Sequence, residues 1–358
     1  MKPTLTVACI FLRSAWQAVS LRSALTTLLL APLASLHAAE SKPALWAVYY
    51  AWYQTGGKLS MWTNDKDGTS RSKAEPLIGY YNSDNPDVVR WHIRLAKAAG
   101  IEAFLVSWWG GANISGKAFE QTILPVAAEE KFKVAMCCEL AQFHHDVKVL
   151  ARQVSDVLRR VKDNPAYLRV DGKPVVYLYQ VPFAPKLTPE TFAELTQGVE
   201  GVYWMMDKIG NAKDDVLIFP EAWLKIPEIP MIGFYGTFSV RRIWKHDELA
   251  PHYSRLVKQA HAAGKKAFLP AHPGLDNSGI QSPYFIIPRD DGATLRGYLR
   301  AITDAGADVA LVTSFNEWPE TTIVEPSSSW ADPYFYLKLL ADWKGVTFAA
   351  PPLPEKTK

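Results

Sequence analysis

Two glutamates near the carboxyl end of the sequence have residue types and spacing that suit acid–base chemistry. Glu317 and Glu320 stand three positions apart, shortly after the apolar run 308–312, which predicts a buried strand. Cleaving a glycosidic bond requires one carboxyl group that protonates the leaving oxygen and a second carboxylate that acts as nucleophile or base. The pair therefore predicts a glycoside-cleaving site where this strand ends.

The residues around this pair favour a functional site over an ordinary loop. Asn316 can hydrogen-bond a sugar hydroxyl, Trp318 can stack on the apolar face of a sugar ring, and Glu325 adds a third acid. We expect these three side chains to contact the substrate. Glutamates with this spacing are also common on exposed helices, so a solvated loop is the alternative. The buried strand that leads into the segment, together with the flanking Asn and Trp, favours the functional interpretation.

The composition fits one large folded unit that binds no nucleic acid. The chain has 358 residues, of which 48% are hydrophobic, and its formal net charge is only +3. No run of Lys or Arg forms a basic stripe, and this argues against a nucleic-acid interface. The 13 Trp, 15 Tyr and 15 Phe are numerous, and several follow predicted strands, where a carbohydrate site would use them.

The alternation of apolar strands with helical segments predicts an α/β fold, a single (β/α)8 TIM barrel over residues 40–348. The predicted strands are 45–53, 101–107, 133–138, 175–179, 202–206, 229–235, 266–270 and 308–312. Helices are expected at 84–99, 117–130, 146–162, 188–196, 247–263, 292–305 and 332–343. Residues 216–219 are ambiguous, and the long polar segment 54–84 is interpreted as a binding loop. The alternative is an open doubly wound sheet, but no glycine-rich nucleotide loop follows the first strand.

Several aromatic and acidic residues stand at the predicted strand ends. Tyr50 and Trp52 end the first strand, Trp108 and Trp109 follow the second, and Glu139 follows the third. In a barrel of parallel strands, the active site lies at the carboxyl ends of the strands. We therefore expect these five side chains to contact an oligo- or polysaccharide substrate.

The first 39 residues predict a secretory signal peptide. They carry Lys2, Arg13 and Arg22 but no acid, and small residues follow the apolar run 24–31 up to Ala39. A membrane anchor is the alternative, but this run is shorter than the ~20 residues that a span needs. We expect a secreted or periplasmic protein without a membrane span in its mature form. The tail 349–358 is predicted to be disordered.

The cysteines and histidines predict neither a disulfide nor a metal site. Cys137 and Cys138 are adjacent in a predicted strand, so their side chains should point to opposite faces. His144 and His145 form an isolated doublet without partners at zinc spacing. We expect no metal and no other cofactor.

Ordered motifs are spread over most of the chain, from residue 49 to residue 345. They are Tyr-Tyr-Ala-Trp-Tyr at 49–53, Ala-Gly-Ile at 99–101, Ser-Trp-Trp-Gly at 107–110, Glu139, Gly-Phe-Tyr at 233–235, Pro-Gly-Leu-Asp at 273–276 and Ser-Phe-Asn-Glu-Trp-Pro-Glu at 314–320. In these motifs the sequence resembles glycoside hydrolase family 99 and its endo-α-mannosidase-like relatives. The resemblance implies a (β/α)8 barrel that cuts internal α-mannosidic linkages with retention and without a metal.

The resemblance also implies roles for individual residues. The sugar's own 2-hydroxyl would be the nucleophile and would form a 1,2-anhydro sugar. Glu317 would be the base that removes the proton of this hydroxyl, and Glu320 would protonate the leaving oxygen and then deprotonate the attacking water. Trp109, Glu139 and Tyr235 would line the subsite of the sugar that is cleaved.

The sequence departs from the family pattern after the first acid. The family usually has His where this chain has Pro319 and Gly where it has Thr321, and Ile323 and Val324 replace a more polar pair. Asp276, which ends a matched motif, is expected to contact the substrate. These departures leave open an α-1,3-glucanase-like or exopolysaccharide-specific hydrolase, and a barrel that binds carbohydrate without cleaving it.

Overall fold

The computed structural model describes residues 42–56, 61–64, 68–143, 146–179, 187–211, 216–236 and 245–354. The predicted signal peptide, the His144–His145 doublet and the last four residues of the predicted tail lie outside these ranges. Residues 349–354 contain neither helix nor strand. The signal peptide and the disordered tail therefore stay predictions.

Eight parallel strands form a closed barrel, which confirms the predicted (β/α)8 fold. The strands are β1 (Ala44–Tyr49), β2 (Ala103–Trp108), β3 (Lys133–Glu139), β4 (Lys173–Tyr179), β5 (Tyr203–Asp207), β6 (Met231–Gly233), β7 (Lys266–Ala271) and β8 (Val309–Val312). In β1, Trp46 pairs with Ala103 of β2 on one side and with Leu311 of β8 on the other. The first strand therefore lies directly beside the strand that leads to the two acids.

One helix or helical segment follows each strand of the barrel. These are α1 (Pro86–Ala98), α2 (Ile114–Ala118, Phe119–Ile123 as a π-helical turn, and Leu124–Glu129), α3 (Val147–Val161), α4 (Pro189–Gly198), α5 (Glu221–Leu224), α6 (His246–Ala262), α7 (Ala293–Ala305) and α8 (Phe335–Lys344). Because all eight strands are parallel, their carboxyl ends lie together on one face of the barrel.

Side-chain caps fix where several helices begin. The Asn85 side chain accepts a hydrogen bond from the backbone N–H of Asp87, and Pro86 occupies the first helical position, where no N–H is needed. Asp146 caps α3 in the same way, and Thr188 forms a capping box at the start of α4. These starts agree with the sequence prediction to within two residues.

Two predicted strands are shorter in the structure. β1 ends at Tyr49 instead of residue 53, because both backbone groups of Tyr50 bond to the Asn316 side chain, at 2.7 Å for the N–H and 2.9 Å for the carbonyl. β6 covers only Met231–Gly233. A Cβ atom at Gly233 would lie 2.0 Å from the carbonyl oxygen of Phe268, so the approach of β6 to β7 requires glycine.

The ambiguous segment 216–219 lies outside the barrel. Leu217–Ile218 pairs antiparallel with Gly210–Asn211 and forms a small two-stranded hairpin between β5 and α5. The pattern alone could not separate this hairpin from a barrel strand, because short apolar runs occur in both.

The strands are buried on both faces, as expected for a parallel sheet covered by helices. All six residues of β2 are buried. Cys137 and Cys138 of β3 are buried free thiols. Within the described part of the chain, no helix is both long enough and apolar enough to cross a membrane.

Candidate active site

The acid-bearing segment after β8 is a compact loop held by its own hydrogen bonds. The backbone N–H of Ser314 donates to the Thr322 carbonyl at 2.7 Å, and that of Glu325 donates to the Phe315 carbonyl at 2.9 Å. The Ser314 hydroxyl oxygen in turn accepts the backbone N–H of Glu317 at 2.7 Å. The segment is therefore doubled back on itself, with both predicted catalytic acids at its turn.

Thr321 and a buried arginine complete this turn. Thr321 has φ +53°, in the left-handed region that residues with a Cβ rarely adopt. The Arg289 guanidinium donates to the carbonyls of Thr321 at 2.6 Å and of Ile323 at 3.0 Å. It also lies over the ring of Tyr336, 4.5 Å from the centroid. These contacts hold the loop in its bent form despite the unfavourable Thr321 conformation.

Glu317 lies in the cleft with only 7% of its surface exposed. The Tyr235 hydroxyl donates to its Oε2 at 2.9 Å, and the Tyr50 hydroxyl lies 3.2 Å from that of Tyr235. Burial, and then the negative charge of Glu320, raise the pKa of Glu317 well above its usual range, while the Tyr235 hydrogen bond opposes this rise. The group therefore holds a proton at a higher pH than an exposed glutamate does.

Glu320 is half-buried in the one-turn 3-10 helix Trp318–Glu320. Burial raises the pKa of Glu320 to about 7. Since Glu317 and Glu320 repel each other when both are charged, they give up their protons in two separate steps. Between those steps the pair holds one proton, which is the state that acid–base catalysis needs.

A third carboxyl group, Glu139 at the end of β3, faces the same cleft. Its Oε1 accepts the Ser107 hydroxyl at 2.7 Å, and the Ser107 oxygen accepts the indole N–H of Trp109 at 2.9 Å. Burial, together with a smaller contribution from the charge of Glu320, raises the pKa of Glu139 to about 8. Ser107 was not among the predicted site residues, although it ends the apolar run of the second predicted strand.

Half-buried aromatic rings form one wall beside these acids. The Trp52 ring lies 5.9 Å from that of Trp109 and 4.6 Å from that of Tyr50. Trp52 and Trp109 keep part of their surface exposed, whereas Tyr50 is buried. The structure thus brings the predicted residues Tyr50, Trp52 and Trp109 together on one side of the cleft.

Four predicted substrate contacts need correction, because their side chains are fully buried. Asn316, Trp318, Glu325 and Trp108 each have 0% exposure. The first three form protein hydrogen bonds beneath the cleft, such as that from Trp318 Nε1 to Glu325 Oε2 at 2.8 Å. A side chain without accessible surface cannot stack on or bond to a ligand in the cleft, so these residues serve the loop and the core instead.

Asp276 is half-buried in a short hairpin that follows β7. Its Oδ1 accepts the backbone N–H of Ser278 at 3.0 Å, and Leu275–Asp276 pairs with Ile286–Ile287. Nothing in this geometry links Asp276 to Glu317 or Glu320, so its predicted contact with the substrate stays a prediction.

Three further residues at strand ends were missed. The Tyr179 ring, at the end of β4, lies 4.7 Å from that of Tyr235. Asp207 ends β5 and is buried, and its charge contributes to the raised pKa of Glu139. Burial lowers the pKa of His272 to about 3, so this ring beside Tyr235 is neutral. Each of the three stands at or shortly after the end of a predicted strand, and this position is the sequence signal that could have identified them as site residues.

Within the described residues, no group of three or more His, Cys, Asp and Glu side chains could hold a metal ion. The arrangement at the cleft is instead one of carboxyl groups, phenols and indoles. Such carboxyl groups can transfer protons to and from a bound molecule.

Comparison with known proteins identifies the family of this chain. The model of the family described as glycosyl hydrolase family 99 matches residues 59–344. A Mus musculus protein named "Glycoprotein endo-alpha-1,2-mannosidase-like protein" is 25% identical over 342 residues, which cover 82% of this chain and 74% of the relative. A Danio rerio protein of the same name is 25% identical over 264 residues; this match covers 70% of this chain and only 58% of that relative.

Solved structures share the fold. The GH99 endo-alpha-mannosidase from Bacteroides thetaiotaomicron superposes with a TM-score of 0.67 at 19% identity, and the match covers 84% of this chain and 96% of that one. A structure described as a glycoside hydrolase-like protein gives a TM-score of 0.60 at 17% identity, with 85% and 94% covered. Because the family model matches most of the sequence, this chain belongs to glycosyl hydrolase family 99.

Proposed function

We propose that this protein is a retaining, endo-acting glycoside hydrolase that cleaves internal α-linkages of a mannose-containing polysaccharide. The observation that carries the proposal is the position of Glu317 and Glu320 at the end of β8, with the Tyr235 hydroxyl donating to Glu317 at 2.9 Å. Membership of family 99 and the endo-α-mannosidase names of its relatives support the type of bond. Residues 50–53 and 314–320 follow the adjacent strands β1 and β8, and they supply Tyr50, Trp52 and the two acids of the proposed site.

In the first step, Glu317 takes the proton of the sugar's 2-hydroxyl, and the freed oxygen attacks the anomeric carbon. Glu320 gives its proton to the glycosidic oxygen as that bond breaks, and the product is a 1,2-anhydro sugar. In the second step Glu320 removes a proton from water, which opens the anhydro ring, and Glu317 returns its proton to the 2-oxygen. Two inversions at the anomeric carbon give net retention.

The surroundings of the pair support proton exchange by both acids. The Tyr235 hydrogen bond favours the charged form of Glu317 and so opposes the rise that burial causes in the pKa of this group. Burial raises the pKa of Glu320 to about 7, so it keeps a proton far above the pH at which an exposed glutamate loses one.

The deciding experiment is a panel of α-mannans and α-glucans with products separated by chromatography and the anomeric configuration followed by NMR. We expect internal cleavage of an α-mannan with retained configuration, and no cleavage by the double variant Glu317→Gln/Glu320→Gln. Cleavage of α-glucans alone would instead identify the α-1,3-glucanase-like alternative. Binding without cleavage across the panel would identify a non-catalytic carbohydrate-binding barrel.

We further propose that the protein is exported, with a mature form that begins near Glu40. The support is the acid-free, Arg-containing start of the sequence and the small residues that precede Glu40. Amino-terminal sequencing of exported protein tests this proposal. A product outside the cytoplasm that still carries Met1 would contradict it.

A further inference from the structure

We infer that Glu325 is a positioning residue that fixes Glu317 from beneath the cleft, a role that rests on the proposed function of Glu317 as base. Glu325 and His92 have 0% exposure, so neither can meet the substrate. Glu325 stands eight positions after Glu317 on the same loop. Its carboxylate points into the protein, away from the cleft that Glu317 faces.

Three side chains surround this carboxylate as hydrogen-bond partners. The Tyr81 hydroxyl and the Trp318 indole N–H both donate to Oε2 at 2.8 Å, and His92 Nε2 lies 3.2 Å from Oε1. A buried carboxylate is tolerated only when such partners replace its water. The three partners come from three different segments, so Glu325 ties the loop after β1, helix α1 and the acid-bearing loop together.

The protons of this cluster can be assigned from its hydrogen bonds. His92 Nδ1 lies 3.0 Å from the Tyr49 hydroxyl. If His92 carries its proton on Nε2, it donates to Glu325 and accepts from Tyr49, and every group in the cluster has a partner.

The cluster reaches Glu317 through both of its chain neighbours. On one side, Glu325 holds the indole of Trp318. On the other side, the Tyr81 hydroxyl accepts from Asn316 Nδ2 at 3.3 Å. Asn316 and Trp318 are therefore both fixed from below, and the Glu317 backbone between them has little freedom.

A second path leads to the partner of Glu317. Asn316 binds both backbone groups of Tyr50, and the Tyr50 hydroxyl meets that of Tyr235, which donates to Glu317. Glu325 thus influences both the backbone of the base and the hydroxyl that orients its carboxylate. Because a misplacement of ~1 Å can cost ~10²-fold in rate, such a support has a measurable catalytic effect.

The test compares two Tyr→Phe variants that each remove one buried hydroxyl. Tyr81→Phe breaks the link between Glu325 and Asn316, whereas the control Tyr167→Phe removes a buried hydroxyl that donates to the Val175 carbonyl at 3.0 Å. We expect similar small losses of thermal stability. We expect kcat on the cleaved α-mannan to fall at least ~10-fold with nearly constant KM in Tyr81→Phe only.

Two substitutions of Glu325 itself separate the effect of its hydrogen bonds from the effect of its size. In Glu325→Gln, the amide oxygen can still accept from Tyr81 and Trp318, and the amide nitrogen can donate to the other His92 tautomer, so activity should stay within a few-fold of wild type. Glu325→Leu has similar size but leaves three buried donors without an acceptor, and we expect kcat to fall ~10²-fold or more. Equal kcat in Tyr81→Phe, Tyr167→Phe and the wild type would overturn the inference.

A crystal structure of Tyr81→Phe tests the inference without an activity measurement, because it shows directly whether the Glu317 side chain has moved. We expect the contact between Tyr235 Oη and Glu317 Oε2, 2.9 Å in the wild type, to lengthen or break, and to be unchanged in Tyr167→Phe. If the wild type cleaves no glycan, the proposed function fails, and this contact still decides whether Glu325 positions Glu317. An unchanged contact in Tyr81→Phe would refute the positioning role.

Discussion

Glu317 and Glu325 lie on opposite sides of one loop and experience opposite surroundings. The Glu317 carboxylate accepts the Tyr235 hydroxyl at 2.9 Å, and hydrogen bonds from Tyr235 and Tyr50 lower its pKa, whereas burial and two other carboxyl groups, Glu320 and Glu139, raise it. Glu325 has three partners and no exposed surface. A buried carboxylate that three side chains surround is held in place, whereas one that is crowded by other carboxyl groups is suited to exchange protons. The comparison separates a supporting acid from a reacting one, although both are buried glutamates.

The strongest test of this comparison is Glu317→Gln. Gln has nearly the same shape, so the fold should survive, but it cannot accept the proton of the 2-hydroxyl. We expect a loss of ~10²–10⁴-fold or more on natural polymer and on an activated aryl glycoside alike. Glu325→Gln is the matched control, measured by the same rate assays. Equal losses of rate in Glu317→Gln and Glu325→Gln would contradict the distinction between a reacting and a supporting acid.

Glu320→Gln should lose activity selectively. General acid catalysis is worth ~10²–10⁴-fold for a poor leaving group and little for one that needs no proton. We expect the variant to cleave an activated aryl glycoside much better, relative to wild type, than the natural polymer. The measurement is the ratio of kcat/KM for the two substrates. Equal losses on both would show that Glu320 is not the acid.

The pH dependence of kcat/KM should follow the carboxyl pair. Because burial raises the pKa of Glu317, this base takes up a proton at a higher pH than an exposed glutamate does, and it is then inactive. We expect the rate to fall as the pH drops through that range. Tyr235→Phe removes the hydrogen bond that lowers the pKa of Glu317, so the acidic limb should move to higher pH. An acidic limb near pH 4, as for exposed glutamates, would contradict the prediction.

Trp109→Ala should weaken substrate binding more than it weakens the fold. Trp109 is half-buried beside Trp52, and loss of a stacking ring typically costs ~1 kcal/mol, about fivefold in affinity. The neighbouring Trp108 is fully buried, so Trp108→Ala should cost ~3–5 kcal/mol of folding stability instead. Calorimetric binding and thermal melts measure the two effects. A Trp109→Ala protein that melts far lower but binds normally would make Trp109 a core residue.

The smallest expected effect is the contribution of Glu139 to the pH dependence of folding stability. Its pKa is about 8 in the folded protein and ~4.3 when unfolded, so the folded state binds more protons between these values. This contribution to stability is complete below ~pH 4.3 and is lost as the pH rises through about 8. We expect the Tm of wild type to fall between pH 5 and pH 9 by ~2 °C or more beyond that of Glu139→Gln. Parallel Tm curves would contradict the raised pKa.

The barrel was predictable because strand and helix periodicities are local signals. The same signals placed Trp109 and Glu139 at strand ends, where they lie. They could not separate Trp108 from Trp109, since which of two adjacent residues faces the core depends on how β2 pairs with its neighbours. The strand assignment between residues 200 and 235 was uncertain, and Asp207 at the end of β5 was missed there.

The side of the loop on which each acid lies could not be predicted. Glu325 and Glu317 share one short segment, and two of the three partners that hold Glu325 inside the protein, Tyr81 and His92, lie far away in the sequence. These partners stand 244 and 233 positions earlier in the sequence. Spacing within a motif carries no information about such distant contacts, so a third acid beside a catalytic pair was interpreted as a substrate contact.

The pairing of β1 with β8 also determines when the enzyme acquires its activity during synthesis. Tyr50 and Asn316, which bind each other, are 266 positions apart, so the cleft cannot form until nearly the whole chain has left the ribosome. Until then β1 presents an unpaired edge, and the two acids have not been made. Contacts of this separation form late in folding. A growing chain is therefore inactive toward glycans, and barrel closure and catalytic competence arrive in the same event.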